Sequence, residues 1–182
     1  VWNQLANLLL PVLAVFLRRE GRMRVPRLVI GLVREVRFCA AIIDQLLTVC
    51  ANVGAHLHLI EPLGFDLDES SVKRAGLDYR ILAEISRYPD WNTFHQRNPL
   101  MRIWAFSTHG TTRYDHAKFQ LNDGLLFGPE TRGLPATLLS EAGASRVLRL
   151  PMRSGSRSIN LSNTVAVALF EASRQTGFSS LL

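Results

Sequence analysis

The sequence predicts an α/β protein with a mainly parallel sheet and helices on both faces. Two observations predict it. Short apolar runs rich in β-branched residues alternate with segments of helical periodicity from about residue 25 to residue 174. Several of these runs are continuously apolar, as in strands covered on both sides. The composition agrees: 182 residues, 47% hydrophobic and 20% charged, is an ordinary globular balance. It excludes a disordered, collagen-like or coiled-coil chain.

In chain order, RLVIGLV (27–33) reads as a buried strand. Leu57–Ile60 is the next, ended by Glu61-Pro62-Leu63-Gly64. Ser70–Ala75 reads as a short helix with Asp68 or Ser70 as N-cap and Gly76 as stop. Asp90 caps a helix around Trp91–Gln96. Arg102–Ser107 and Gly124–Phe127 are buried strands, and between them a loop holds Thr111, Thr112 and Arg113 flanked by His109 and His116, for which RNA contact stays open. Pro135–Glu141 reads as helical, and Arg146–Leu150 as a strand stopped by Pro151. Leu161–Arg174 has the clearest helical pattern: Asn160 or Ser162 can cap it, and Val165, Leu169 and Ala172 share one face. No internal repeat or linker divides the chain, so residues 25–182 read as one domain.

Residues 1–24 read as an apolar and basic extension. VWNQLANLLLPVLAVFL (1–17) falls short of the roughly 20 apolar residues a spanning helix needs, and its arginines follow the apolar run, unlike a signal peptide's. A packed peripheral helix, a non-native extension and a membrane anchor stay open for it; no stable membrane partner is expected. The charge is lopsided. Residues 1–40 carry seven arginines against two glutamates, whereas residues 41–182 carry 14 cations against 13 acids. The net charge of +6 is therefore mostly a property of the N-terminal stretch, and is weak support for nucleic-acid binding by the main domain. Cys39 and Cys50 cannot form a disulfide framework, which suits a reduced, cytoplasmic protein. No cysteine–histidine spacing fits zinc, so no metal is expected. His56 and His58 point to one face of their strand and read as packed or surface residues, and Trp2, Trp91 and Trp104 as packing residues.

Two turn segments follow predicted strands directly: LLFGPETRGL (125–134) and LRLPMRSGSRSINLSNTVAV (148–167). Loops at carboxyl ends of strands are where α/β sheets bind ligands. Gly128 and Gly133 permit close backbone approach. Glu130 and Arg132 hold charge beside the first loop, and the second offers serines, Thr164 and two asparagines next to Arg153 and Arg157. No nucleophile elbow, P-loop or dinucleotide fingerprint occurs.

GPETRGLP (128–135) and LPM–SRSINLSN (150–163) resemble the second and third signature motifs of the SPOUT RNA methyltransferases, and most closely those of the bacterial tRNA wobble-nucleotide 2'-O-methyltransferases. CANVGAHLHLIEPLGF (50–65) and KRAGLDY (73–79) extend the similarity, which runs from about Cys50 to Phe178. The resemblance implies a C-terminal trefoil knot holding S-adenosyl-L-methionine, a homodimer, and a tRNA anticodon stem-loop methylated on the ribose of nucleotide 34. The family's cofactor contacts fall on Phe106, Gly128, Leu150 and Ser158. Glu130, Arg132, Ser158 and Asn160 match positions that orient RNA or cofactor, and Glu130, Ser158 and Asn160 are the catalytic candidates. The family's first motif, P-x-I-P-x-N-T-G-N-I-x-R, is absent, and Thr48 stands where its hydroxyl-activating arginine belongs. Two alternatives therefore stay open: a catalytically impaired knotted module that binds RNA or dimerises, and methylation of another RNA.

Overall fold

The structure, a computed structural model, describes residues 27–31, 40–61, 84–129 and 132–178. Seven strands form one sheet: β1 (Arg27–Gly31), β2 (His56–Ile60), β3 (Ile85–Tyr88), β4 (Ile103–Phe106), β5 (Thr112–Arg113), β6 (Gly124–Phe127) and β7 (Val147–Arg149). Their spatial order is β3-β2-β1-β6-β4-β7-β5. Every pairing is parallel. Four helices accompany them: α1 (Ala40–Val53), α2 (Trp91–Arg97), α3 (Ala136–Ala142) and α4 (Leu161–Gln175). A parallel α/β sheet with helices on both faces is thus what forms.

The strand sequences explain the layering, because alternate side chains enter opposite faces. Leu57, Leu59, Trp104, Phe106, Leu125, Phe127 and Leu148 meet α1 and α4 in one core. Ile60, Ile103, Ala105, Leu126 and Val147 meet Phe94 of α2 and Ala142 of α3 in the other. Both faces being covered, the strands must be apolar throughout, and β4 and β6 are buried at all four positions.

α1 was not anticipated, yet its pattern is helical: Leu46, Leu47, Cys50 and Val53 are all buried at three- and four-residue spacing. Burial pushes the Cys50 thiol up to about 12. α1 packs on α4, and Ser162 Oγ donates to Gln45 Oε1 at 2.6 Å across that contact. Asp90 caps α2 as expected, its carboxylate accepting from Thr93 N at 2.7 Å. Asn160 rather than Ser162 caps α4 and accepts from Asn163 N at 2.9 Å; Val165, Leu169 and Ala172 are buried on its inner face.

Two expectations are corrected. The 109–116 segment is not all loop: Thr112 and Arg113 add a short strand beside β7, and Tyr114–His116 form a single 3-10 turn. The edge strand β3 was missed. The expected helix at 70–75, the extension at 1–24, and Trp2, Cys39 and Glu130 lie outside the described residues. Among the described residues no helix is long and apolar enough to cross a membrane.

His56 and His58 do share a face. Their rings stack at 4.2 Å between centroids, His58 is buried, and its Nδ1 lies 2.9 Å from the Tyr88 hydroxyl. Trp104 is a packing residue whose Nε1 donates to buried Asp123 at 2.8 Å. Arg102 grips the same carboxylate with two bonds of 2.7–2.9 Å, and this hydrogen bonding is the main cause that raises the pKa of its guanidinium. Gln120 N supplies a further bond to Asp123 at 2.8 Å, which fixes the turn entering β6.

Candidate active site

β6, β4 and β7 are neighbours in the sheet and run in the same direction, so their carboxyl ends lie side by side. The segments leaving them must share that edge. The β6–α3 turn tightens on itself: Gly133 N donates to Pro129 O at 2.9 Å, and Gly133 takes φ +67°, a conformation that suits glycine. Gly128 is packed so closely that a Cβ there would lie 2.4 Å from the Gly133 carbonyl carbon and 2.5 Å from Leu134 N. Only a hydrogen fits between the two backbone strands of this turn.

The segment leaving β4 does something less usual. Phe106 and Thr112 both pair with Leu148, on its two sides, so residues 107–111 cross one face of β7 from edge to edge. Ser107 N donates to Leu148 O at 2.9 Å, and a Cβ on Gly110 would sit 2.6 Å from the Leu148 carbonyl carbon. The chain that leaves β7 runs through residues 151–160, every one exposed, before turning into α4.

These three segments enclose a cavity of about 560 Å³. Phe106, Gly128, Leu150 and Ser158, the four expected cofactor contacts, all line it, as do Arg132 and Asn160. The Phe106 and Phe127 rings stack at 4.6 Å to give it an apolar wall. Asn160 spends its side-chain oxygen on capping α4, which fixes the side chain at the cavity rim. Thr48 does not line it; it is half-buried on α1.

Sequence reasoning missed Ser107 and Thr108 as part of the wall, and had placed His109 in a loop open to RNA contact without joining it to the cavity. The signal that could have found them is the one used for the other two segments, since they too follow a strand at its carboxyl end. Among the described lining residues the charged side chains are Arg132 and Arg149, and none is a carboxylate. Arg153 and Arg157 stand exposed on the neighbouring segment. Among the described residues the mouth is therefore cationic, which favours a phosphate-bearing partner.

The size and lining suit a ligand with a flat apolar part and several polar groups. The family model for the SpoU rRNA methylase family matches residues 45–170, which include all three cavity-forming segments. The chain belongs to the SpoU methylase family. It is 50% identical over 136 residues to a Burkholderia cenocepacia protein named tRNA (cytidine(34)-2'-O)-methyltransferase, covering 74% of this chain and 87% of that one. A Bacillus anthracis crystal structure described as a "putative RNA methyltransferase" superposes with a TM-score of 0.76 at 34% identity, over 84% of this chain and 95% of that one. A structure described as "Structural insights into the 2-OH methylation of C/U34 on tRNA" gives 0.73 at 34% identity, over 84% and 97%. A member of this methylase family needs a methyl donor and an RNA.

Proposed function

We propose that the chain transfers a methyl group from S-adenosyl-L-methionine to the ribose 2'-oxygen of tRNA nucleotide 34, as a cytoplasmic homodimer acting on the anticodon stem-loop. One observation carries this reading: the two motif segments, 128–135 and 150–163, line a single cavity at the carboxyl ends of three adjacent strands. The name of the Burkholderia relative, half identical over most of both chains, supports the substrate.

When bound, the cofactor supplies a methyl group already activated by a positively charged sulfur. The rest is the protein's task. Phe106, Phe127 and Leu150 form apolar walls for an adenine, and Gly128 lets backbone groups close on it. Ser158 offers a hydroxyl and, with Glu130 and Asn160, orients the reacting groups. Arg132 and the exposed Arg153 and Arg157 meet phosphates of the RNA. Alignment of the 2'-oxygen with the methyl and exclusion of water are the main sources of rate. A ribose in an anticodon loop is reachable, whereas one within a helix is not.

The edge-to-edge crossing of β7 by residues 107–111 supports a knotted C-terminal segment. Val167 and Phe170 of α4 are 39% and 49% exposed, and Met152 and Ile159 of the rim are similarly bare, which supports a second copy as their cover. Residues 25–182 make up the methyltransferase domain.

A second reading, binding without turnover, is favoured by Thr48 at the family's arginine position and away from the cavity. Calorimetry with S-adenosylmethionine, followed by incubation of the protein with radiolabelled cofactor and bulk tRNA, separates them. Binding and label in tRNA support the enzyme; binding without label supports the module; absence of binding at millimolar cofactor removes both.

A further inference from the structure

We propose that His109 accepts the proton of the ribose 2'-hydroxyl during methyl transfer. The assignment rests on the methyltransferase reading and adds to it the group that activates the nucleophile. Methylating a neutral hydroxyl requires that its proton leave, and a positioned acceptor contributes on the order of 10²–10⁴ in rate. Among the described lining residues few groups are able to take it. Serines, threonines and asparagine do not accept protons near neutrality, and Arg132 and Arg149 stay protonated. His109 is the imidazole among the described lining residues, and imidazole exchanges protons in the neutral range.

Its setting fits the task. The turn that carries it is held at both ends: Ser107 N is bonded to Leu148 O at 2.9 Å, and Gly110 abuts the Leu148 backbone. His109 N also donates to Ser107 Oγ at 3.2 Å, so the residue's backbone is fixed relative to Phe106, one of the proposed cofactor contacts. Among the described residues no hydrogen bond or ion pair occupies the imidazole. The charged groups of neighbouring elements among the described residues are Arg149 at the end of β7, Arg132 in the β6–α3 turn, and the ion pair between Arg113 of β5 and Asp115. The side chain is exposed, so the proton can pass on to water.

The step balances as follows. The ribose oxygen forms a bond to the methyl carbon, the carbon–sulfur bond breaks with its electron pair on sulfur, and the hydroxyl proton moves to a ring nitrogen of His109. The sulfonium becomes a neutral thioether, and the imidazolium discharges to solvent.

The test uses the full chain with His109→Gln and Glu130→Gln. For H109Q, the expected result is unchanged S-adenosylmethionine binding by calorimetry, KM for tRNA within about threefold, and kcat lowered about 100-fold or more. The acid limb of the wild-type pH–rate profile should vanish with it. An independent readout is the His109 ring resonance by NMR, titrated with anticodon stem-loops carrying ribose or 2'-deoxyribose at position 34. The ring should respond to the ribose form and much less to the deoxy form. H109Q turnover within threefold of wild type, equal ring responses to both stem-loops, or loss of the acid limb in E130Q instead would each overturn the assignment alone. A wild-type chain that methylates no tRNA would overturn the methyltransferase reading and this assignment together.

Discussion

Replacing Gly128 by alanine adds one methyl group at the tightest point of the site. Gly128 is outside the positive-φ region, so backbone strain plays no part and crowding alone acts. The new Cβ would stand 2.4, 2.5 and 2.7 Å from the Gly133 carbonyl carbon, Leu134 N and Gly133 O, all backbone atoms that cannot swing aside. That is roughly 1 Å short of ordinary contact. The turn must therefore move about 1 Å, and overpacking of this kind costs about 1–3 kcal/mol. Because the same turn lines the cavity, the displacement passes directly to the ligand. The expected outcome is a 10- to 100-fold rise in Kd for S-adenosylmethionine, about 1.4–2.8 kcal/mol, with melting lowered by a few degrees. Gly133→Ala is the internal control. Its Cβ meets nothing within 4 Å, and only the φ of +67° penalises it, by about 1–2 kcal/mol. It should lose stability with a smaller loss of affinity. Titration calorimetry with the cofactor, alongside thermal melts of both variants, checks this. A Gly128→Ala protein binding within twofold of wild type would refute the reasoning.

Other outcomes follow from the fold. Asp123→Asn takes the charge from a buried carboxylate that accepts four hydrogen bonds, and should cost about 2–4 kcal/mol in urea unfolding. Ser162→Ala removes the 2.6 Å bond between α4 and α1 and should cost about 1 kcal/mol by the same assay. Asp90 has its pKa lowered, chiefly by the Thr93 N–H bond. The stability it adds is therefore complete above its unfolded value and disappears as pH falls through the lower folded one. Asp90→Asn, which still caps, should flatten that part of the pH–stability curve measured between neutrality and pH 3. Cys50, buried with its thiol pushed up to about 12, should resist a thiol-modifying reagent at pH 8 until urea unfolds the chain, as peptide mass mapping would report.

Much of this architecture could be read from residues because both sheet faces are covered. Continuous apolar runs such as RIWAFS and GLLF can only be interior strands in a chain this short, and both are. Asp90 and Asn160 were legible as caps because a short polar side chain before a helix has a definite partner, the N–H three residues on. β3 was illegible for the opposite reason. At an edge, only Tyr88 is buried, so ISRY carries no apolar pattern. β5 is two residues long and exists through its pairing with β7, which no local signal encodes. α1 keeps helical spacing at Leu46, Leu47, Cys50 and Val53, but it has no acidic residue in its first turn and no basic one in its last to mark its ends. Phe106 and Leu150 show the limit for sites. Alone, each is one more apolar residue at a strand end. Only the adjacency of β6, β4 and β7, a long-range fact, turns them into walls of one cavity.

The most direct measurement is nucleoside mass spectrometry of position 34 in tRNA from a strain lacking the gene, after incubation with the purified chain and S-adenosylmethionine. Addition of 14 mass units, resistant to alkaline cleavage at that phosphodiester, is the expected result, on the order of one methyl group per susceptible tRNA. An unmodified nucleotide 34 alongside methyl groups on a base or on another nucleotide would contradict it.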